Sequence, residues 1–181
     1  MNAQQMHVFR ISPFGKDFLK TNTIQKSLYV MRQVLNADDI MEWAREQGFS
    51  SVMGADEMHV TVMYCEQAVD WFRIPDAWQQ DEDGELVVPP GGARVIEQFD
   101  GGAVVLRFKN DSIEWRHKAM LDAGATHKRM GDFQPHITLT YELDGLDLNE
   151  VEPYTGKIEL GPEIFCEVDK EWKDRVTETK V

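Results

Sequence analysis

Two copies of one short pattern carry side chains that are suited to proton transfer. The first copy spans 59–64 (HVTVMY) and the second spans 136–141 (HITLTY). In each copy a histidine is followed two residues later by a threonine, with aliphatic residues between and after them and a tyrosine at the end. At ordinary composition roughly one histidine in fifty would start such a run, whereas two of the five histidines do so here. The repeat indicates a duplicated unit that brings two imidazoles into one site.

Two imidazoles suit the cleavage of a phosphodiester by a neighbouring 2′-hydroxyl. One ring takes the proton of the attacking hydroxyl and the other gives a proton to the leaving oxygen. The unperturbed pKa of histidine, about 6.5, allows one neutral and one charged ring near neutral pH. Each correctly placed acid or base raises the rate by about 10²–10⁴-fold. The threonine hydroxyls can donate to the non-bridging phosphate oxygens. The pattern therefore predicts chemistry without metal or cofactor, and the predicted catalytic residues are His59, Thr61, His136 and Thr138.

Other kinds of site are disfavoured by the sequence. Metal-ligand spacings such as His-x-x-x-His and Cys-x-x-Cys do not occur, and neither motif contains a carboxylate. A glycine-rich phosphate loop and a Gly-x-Ser-x-Gly turn are also absent from the sequence. The remaining histidines lack the partner threonine and are interpreted as structural: His7 in a near-terminal strand, His117 on a helix surface and His127 in a loop.

Composition limits the partners. The net charge of −13 over 181 residues argues against binding long nucleic acid, because lysine and arginine supply most of that affinity. It leaves room for a short anionic ligand. No run reaches the roughly 18 apolar residues of a membrane span, the N-terminus lacks a secretory pattern, and the two cysteines form no disulfide framework. We expect a cytoplasmic protein with no membrane partner.

The first motif follows a strand and a helix. The run 27–31 is rich in β-forming residues, and Asn36 is a candidate N-cap for the helix that follows it. Gly48 is suited to end that helix, and His59 comes eleven residues later.

The second motif has the same context. The run 103–108 predicts a strand, Asp111 and Glu114 form a capping box, and Gly124 is suited to end the helix. His136 comes twelve residues after that glycine. Further strands are predicted by the runs 95–99 and 157–168.

The repeated order of strand, helix and motif strand predicts an α/β (α+β) fold. Two pseudo-symmetric βαβ-like lobes would place the motif strands together in a central, largely antiparallel sheet with helices on the outer faces. Period-two alternation predicts that Tyr64 and Tyr141 point into the core. It assigns to the open, concave face His59, Thr61, Met63, His136, Thr138 and Thr140.

The domain organisation is predicted from the turn-prone segments. Residues 1–26 form an N-terminal extension and 27–175 form a single bilobal domain. The acidic run 79–86 and the prolines and glycines that follow it separate lobe one, at about 27–88, from lobe two, at about 93–175.

The chain resembles the two-histidine (2H) phosphoesterase superfamily, whose signature is a pair of His-x-Thr/Ser motifs on central strands of a bilobal α/β fold. Within that superfamily the likeness is greatest to the phage anti-CBASS phosphodiesterases, which destroy the cyclic oligonucleotide messengers of a bacterial antiviral system. It covers about residues 27–175, and the stretches that carry it are 27–30, 58–64, 102–108, 115–117, 134–141 and 161–172.

The resemblance implies roles for further residues. The two histidines would be the acid–base pair and the two threonines would bind phosphate. Tyr29 and Trp172 would stack on or frame the bases, as aromatic rings commonly do for unpaired nucleotides, and either Glu167 or Glu163 would read a base edge. The alternatives are a packing role for Tyr29 on its strand and an anchoring role for Trp172 in the C-terminal segment.

We therefore expect a metal-independent phosphodiesterase that cleaves 3′–5′ linkages of cyclic di- or trinucleotides and leaves a 2′,3′-cyclic phosphate end. Two alternatives stay open. One is a 2H enzyme acting on RNA ends, by cyclic phosphate hydrolysis or ligation-type chemistry. The other is a non-catalytic nucleotide sponge, against which the two intact histidines argue because binding alone does not require two titrating groups.

Overall fold

The computed structural model describes residues 25–76, 83–127, 132–172 and Arg175. Within these ranges the chain forms seven strands and two α-helices, with short 3-10 turns at Trp71–Arg73 and Leu148–Glu150. In chain order the elements are β1 (Gln25–Val34), α1 (Ala37–Glu46), β2 (His59–Asp70), β3 (Leu86–Val88), β4 (Arg94–Gln98), β5 (Val104–Phe108), α2 (Asp111–Asp122), β6 (His136–Thr140) and β7 (Ile158–Cys166). Nearly all of the predicted N-terminal extension, including His7, and the first half of the predicted acidic connection lie outside the described residues.

The strands form one antiparallel sheet in the order β3-β7-β1-β2-β6-β5-β4. The two motif strands, β2 and β6, are neighbours in the middle of it. Each helix connects two adjacent antiparallel strands, α1 between β1 and β2 and α2 between β5 and β6. The predicted α+β class with a central antiparallel sheet is therefore confirmed, and the repeated unit is a strand, a helix and a motif strand paired back onto the first.

The last strand does not follow the linear order of the predicted lobes. β7 pairs with β1 on one side and with β3 on the other, so it lies in the half of the sheet that contains the first motif. The short strand β3, which the sequence did not predict, is the edge strand of the sheet next to β7. The two halves of the sheet are thus β3-β7-β1-β2 and β6-β5-β4.

The first helix begins and ends where the sequence predicts. Asn36 is the N-cap, although its side chain does not cap the helix. Instead it accepts a hydrogen bond from the backbone N–H of Glu159 at 2.9 Å and donates to the carbonyl of Lys157 at 3.0 Å, which ties the helix start to β7. Gly48 follows the last turn with φ +95°, a conformation that glycine adopts without strain.

The second helix begins one residue earlier than its predicted capping box. Asn110 is the N-cap, and its side-chain oxygen accepts a hydrogen bond from the backbone N–H of Ile113 at 3.0 Å. The helix packs its apolar positions Ile113 and Met120 against the sheet. With 10 and 12 residues respectively, α1 and α2 are too short to cross a membrane, and no helix in the described ranges meets that requirement.

The side of α2 that packs against the sheet contains one residue whose predicted position was wrong. His117 was predicted on the helix surface, but it is only 5% exposed. Its ring stacks on Phe133 with centroids 3.9 Å apart, and its Nδ1 donates to the backbone carbonyl of Val62 in β2 at 2.6 Å. The buried carbonyl supplies the polar partner that allows a histidine to occupy an interior position.

Candidate active site

The pairing of β2 with β6 puts the four motif side chains on one face of the sheet. Val60 lies opposite Ile137 in an antiparallel pair, so each motif histidine lies across from the threonine of the other motif. Directly opposite residues on such strands have Cβ atoms about 4.5–5.5 Å apart. Val60 and Ile137 are fully buried, whereas the four motif side chains are half-buried. We call the face that carries His59, Thr61, His136 and Thr138 the cleft face, and the opposite face, covered by α2, the helix face.

Both motif strands contain a β-bulge at the same place. The register of β2 against β1 shifts by one residue at Val62, and that of β6 against β5 shifts by one residue at Leu139. Each is the third residue after the motif histidine. A bulge leaves one residue unpaired and redirects the side chains beyond it, so the duplication extends to an irregularity of the backbone.

The bulges overturn part of the predicted alternation. Met63 and Thr140 were assigned to the open face, but both are fully buried. Tyr64, which was assigned to the core, lies on the cleft face, where its ring meets that of Tyr29 edge-on at 6.1 Å. Tyr141 is half-buried and packs against the core. Strict period-two counting fails here because one extra residue in the strand exchanges its faces.

Hydrogen bonds fix the protonation of His59. Its Nδ1 lies 2.6 Å from the carbonyl oxygen of Glu57, and since a carbonyl only accepts, Nδ1 carries the proton. In the neutral ring Nε2 is then an acceptor, and the hydroxyl of Tyr29 lies 2.8 Å from it and donates to it. That hydroxyl is also 3.0 Å from the Oγ1 of Thr61. Because its single proton is used on His59, Thr61 is the donor in the second contact.

Burial keeps these groups uncharged. Removal from water lowers the pKa of His59, opposed by the Glu57 carbonyl contact and the Glu57 charge. Burial also raises the pKa of Tyr29 to about 12, with the hydrogen bond from Thr61 acting in the opposite direction. Tyr29 is therefore a hydroxyl donor, not a phenolate, and His59 is a neutral ring whose Nε2 can accept a proton.

His136 repeats the arrangement in the second half. Its Nδ1 lies 3.0 Å from the carbonyl oxygen of Gln134, which is again the residue two positions before the histidine. Aromatic rings meet both imidazoles edge-on: His136 meets Phe99 at 5.0 Å, and His59 meets Trp172 at 5.3 Å and Tyr29 at 6.2 Å. In both motifs the backbone contact therefore uses Nδ1, and aromatic rings adjoin the imidazole.

The structure separates the two candidate base-reading glutamates. Glu163 lies opposite Arg32 in the β1–β7 ladder, on the helix face, and its carboxylate is 1% exposed. The Nε of Arg116 donates to both of its oxygens, at 2.9 and 3.0 Å. Glu163 is therefore part of a buried ion pair on the wrong side of the sheet, and its predicted role in reading a base is wrong. Glu167 lies beyond the end of β7, where its exposed carboxylate contacts the Nζ of Lys26 at 2.5 Å.

Two residues near the histidines were not predicted as part of the site. Tyr64 is the closing tyrosine of the first motif, and the matching Tyr141 in the second motif is the sequence signal that could have pointed to it. Phe99 follows β4, directly before the Asp-Gly-Gly sequence that leads to β5, and its contact with His136 joins residues that are distant in the chain. Among the described residues, no group of three or more His, Cys, Asp or Glu side chains could hold a metal ion.

The fold matches solved structures of phosphoesterases. LigT of E. coli complexed with 3′-AMP aligns with a TM-score of 0.52 at 10% identity, covering 80% of this chain and 96% of LigT. A crystal structure described as a phosphoesterase aligns with a TM-score of 0.51 at 16% identity, covering 78% of this chain and 87% of that one. At this level of identity the match shows the fold, which is that of the 2H phosphoesterases.

Sequence comparison gives the family within that fold class. The sequence model of the family described as "Anti-CBASS protein Acb1" matches residues 26–175, and the chain belongs to this family. Relatives of that name are 46% identical over 155 residues in Caulobacter sp. (strain RHG1) and 44% identical over 150 residues in Sphingomonas paeninsulae. These matches cover 85% and 82% of this chain but only 24% of each relative, so the chain spans about a quarter of their length. The relative from Enterobacteria phage T4 is 24% identical over 140 residues, which is 77% of this chain and 80% of that protein.

Proposed function

We propose that this chain is a metal-independent phosphodiesterase that cleaves 3′–5′ linkages of cyclic di- and trinucleotides as a phage counter-defence, acting in the bacterial cytoplasm. The observation that carries the proposal is the pair of imidazoles on the cleft face, each with Nδ1 committed to a backbone carbonyl and each across from a threonine. Membership in the Acb1 anti-CBASS family supports the choice of a cyclic oligonucleotide as substrate.

The surroundings of the two histidines support different roles. His59 is held neutral by burial, with an acceptor Nε2, so we assign it the role of the base that takes the proton of the 2′-hydroxyl. The 2′-oxygen attacks phosphorus, the bond from phosphorus to the 5′-oxygen breaks, and protonated His136 gives its Nε2 proton to that oxygen. Thr61 and Thr138 donate to the non-bridging oxygens, where charge accumulates. The products are a 2′,3′-cyclic phosphate and a free 5′-hydroxyl.

Tyr29 has a more specific place in this scheme than framing a base. Its hydroxyl occupies the acceptor position of His59, which is where the substrate 2′-hydroxyl must arrive. We propose that Tyr29 holds the imidazole in the receiving tautomer until substrate displaces the contact. Trp172 and Phe99, the rings beside the two histidines, would then flank the bases, and Glu167 is the remaining candidate for a base edge.

The test is cleavage of a panel containing cyclic dinucleotides, cyclic trinucleotides and RNA with a 2′,3′-cyclic phosphate end, in the presence of EDTA and with mass spectrometric detection. We expect linear products from the rings. His59→Ala and His136→Ala should each lower kcat by about 10²-fold or more, with circular dichroism and thermal melting as controls for folding.

The outcomes separate the candidate functions. Tight binding of a ring that stays intact would indicate a sponge, and turnover of the RNA ends alone would indicate the RNA-end enzyme. Activity lost in EDTA and restored by a divalent ion would contradict the metal-independent mechanism, and near-wild-type activity of either alanine variant would end the assignment of the pair.

A further inference from the structure

The cleft face carries an arginine directly beside the second motif histidine. Arg107 of β5 lies opposite His136 of β6, and Val105 lies opposite Thr138. Directly opposite residues of antiparallel strands share a face, and neighbouring strands are about 4.8 Å apart. The side chain of Arg107 therefore starts on the cleft face one strand away from the histidine assigned as the acid.

The guanidinium of Arg107 has donors that no described residue accepts. Its Nη1 donates to Oε1 of Glu97 at 2.6 Å, in a pair whose side chains are 28% and 33% exposed. Its Nε is buried, and neither Nε nor Nη2 makes a hydrogen bond to any described residue. An arginine presents five N–H donors in a planar fork, and a buried donor without an acceptor is unfavourable. This arrangement is suited to a second anion.

An open cavity of about 570 Å³ adjoins this side chain. Its lining reaches Gln134, whose carbonyl accepts the hydrogen bond from the Nδ1 of His136, and extends to Glu114 of α2, so it lies next to the second half of the site. The charged residues of the lining are three cations and two carboxylates, namely Arg94, Arg107, Lys109, Glu114 and Asp132. Two of the cations pair with carboxylates outside the lining, Arg107 with Glu97 and Lys109 with Asp111.

Of the three cations, Arg107 is the one that lies opposite a motif histidine. Arg94 lies one strand further away on β4, where its Nε donates to Gly91 and its Nη2 to Pro89 at 3.0 Å each, while its buried Nη1 makes no hydrogen bond to a described residue. Lys109 extends into solvent and lies 3.4 Å from the carboxylate of Asp111.

We propose that Arg107 binds the second, non-scissile phosphate of the cyclic oligonucleotide and thereby selects substrates that carry one. The proposal rests on the function proposed above. A cyclic dinucleotide has two phosphates, and when one lies between the histidines the other needs a counter-charge nearby. The guanidinium fork matches two phosphate oxygens, and its pairing with Glu97 holds it on the cleft face until the ligand arrives.

The test compares two substrates with the same bases and the same 3′–5′ linkage. Cyclic diadenylate has a second phosphate, whereas adenylyl-(3′→5′)-adenosine has only the scissile one. We expect Arg107→Gln to raise KM for cyclic diadenylate by about tenfold or more with kcat nearly unchanged. The constants for the linear substrate should change by less than about twofold.

Two further variants control for charge and for folding. Lys118→Gln removes one positive charge from the exposed surface of α2, where Lys118 pairs with Asp122, and should alter neither substrate. Glu97→Gln removes the carboxylate that competes for the guanidinium and should lower KM for cyclic diadenylate. If the Arg107→Gln protein folds poorly, Glu97→Gln still tests the proposal, because its KM for cyclic diadenylate is expected to fall.

An equal rise of KM for both substrates, no change for either, or no fall of KM in Glu97→Gln would overturn the assignment of Arg107. If the wild type cleaves neither substrate, the proposed function fails and isothermal titration with cyclic diadenylate decides the role of Arg107 alone. Weaker binding by Arg107→Gln but not by Lys118→Gln would then support the phosphate contact, and equal binding by all three proteins would contradict it.

Discussion

His59 and His136 make the same Nδ1 contact but lie in different surroundings. His59 is packed between Tyr29 and Trp172, and burial lowers its pKa. The contact of His136 with Gln134 lies at the surface. The proposed mechanism needs one histidine as the base, and the lowered pKa of His59 suits it to that role.

This difference predicts the acid limb of the pH profile. His59 must be neutral to accept a proton, so activity is lost as the pH falls through its pKa in the folded enzyme. Because burial holds that pKa below its usual value, we expect the midpoint of the acid limb of kcat/KM below about pH 6.5. Initial rates with a cleaved cyclic nucleotide over a pH series measure it. A midpoint above that value would show that a more hydrated group is the base.

The Tyr29 hydroxyl can be tested against a matched neighbour. Tyr29→Phe removes the donor to His59 that the substrate must displace, and we expect KM to fall about two- to tenfold with kcat nearly unchanged, the value of one hydrogen bond between neutral groups. Tyr64→Phe removes a hydroxyl from the adjacent ring, where it donates to Glu66 at 3.1 Å and not to a histidine. Steady-state kinetics of both variants should show the fall of KM in the first only. Equal changes would indicate that the ring packing, not the hydroxyl contact, is what the substrate meets.

At the level of elements, α2 supports the motif strand at its bulge. The carbonyl of Val62, the extra residue in β2, accepts the hydrogen bond from His117. Beyond this residue the strand exchanges its faces, which places Tyr64 on the cleft face. The helix therefore stabilises the irregularity that determines which side chains surround His59.

A variant of His117 tests this support. His117→Phe keeps an aromatic ring to stack on Phe133 but leaves the Val62 carbonyl without its donor. We expect the free energy of unfolding to fall by about 1–3 kcal/mol, measured by urea denaturation. Met120→Leu, a change of similar volume at another buried position of α2, serves as the control and should cost less than about 1.5 kcal/mol.

The stability of the wild type and of these two variants should also depend on pH, in a direction that the pKa of His117 predicts. Burial lowers the pKa of His117 in the folded state, opposed by the Val62 hydrogen bond. As the pH falls through about 6.5, the usual value, the unfolded state binds the proton first. The wild type should therefore lose stability below that pH. His117→Phe should lose less on acidification than Met120→Leu does, and equal losses would contradict the assignment of this titration to His117.

The sequence predicted these elements better than their irregularities. The strand-helix-strand repeat, the strands β4 and β5 and the end of each helix at a glycine follow from local residue preferences. The bulges do not, because one extra residue in a strand leaves no local signature in composition. His117 was misplaced although Ile113, Arg116, His117 and Met120 follow helical spacing and are all buried. The polar identity of His117 suggested a surface position, but Val62 and Phe133, which are distant in the chain, provide its partners.

At the scale of the whole molecule, a buried charge cluster joins the half of the sheet that contains β7 and β1 to the helix α2. Glu163 of β7 lies between Arg32 of β1 and Arg116 of α2, and all three side chains are at most 2% exposed. Arg32 also donates to the carbonyl of Gly84, and Arg116 to that of Pro75. The members are far apart in the sequence, so no spacing rule could assign Glu163 to this cluster instead of to a ligand. Buried charges require such partners, and only the folded topology supplies them.

The repeated bulge has a consequence for the direction in which a nucleotide strand lies across the sheet. A backbone framework with equivalent halves would accept either orientation, with the donor and the receiver of the proton exchanged. In the proposed mechanism the unequal surroundings of the two imidazoles remove that equivalence, because burial lowers the pKa of His59 and the Tyr29 hydroxyl donates to its Nε2. We therefore expect the polarity of a bound nucleotide strand to be set by the surroundings of the two rings and not by the strands that carry them.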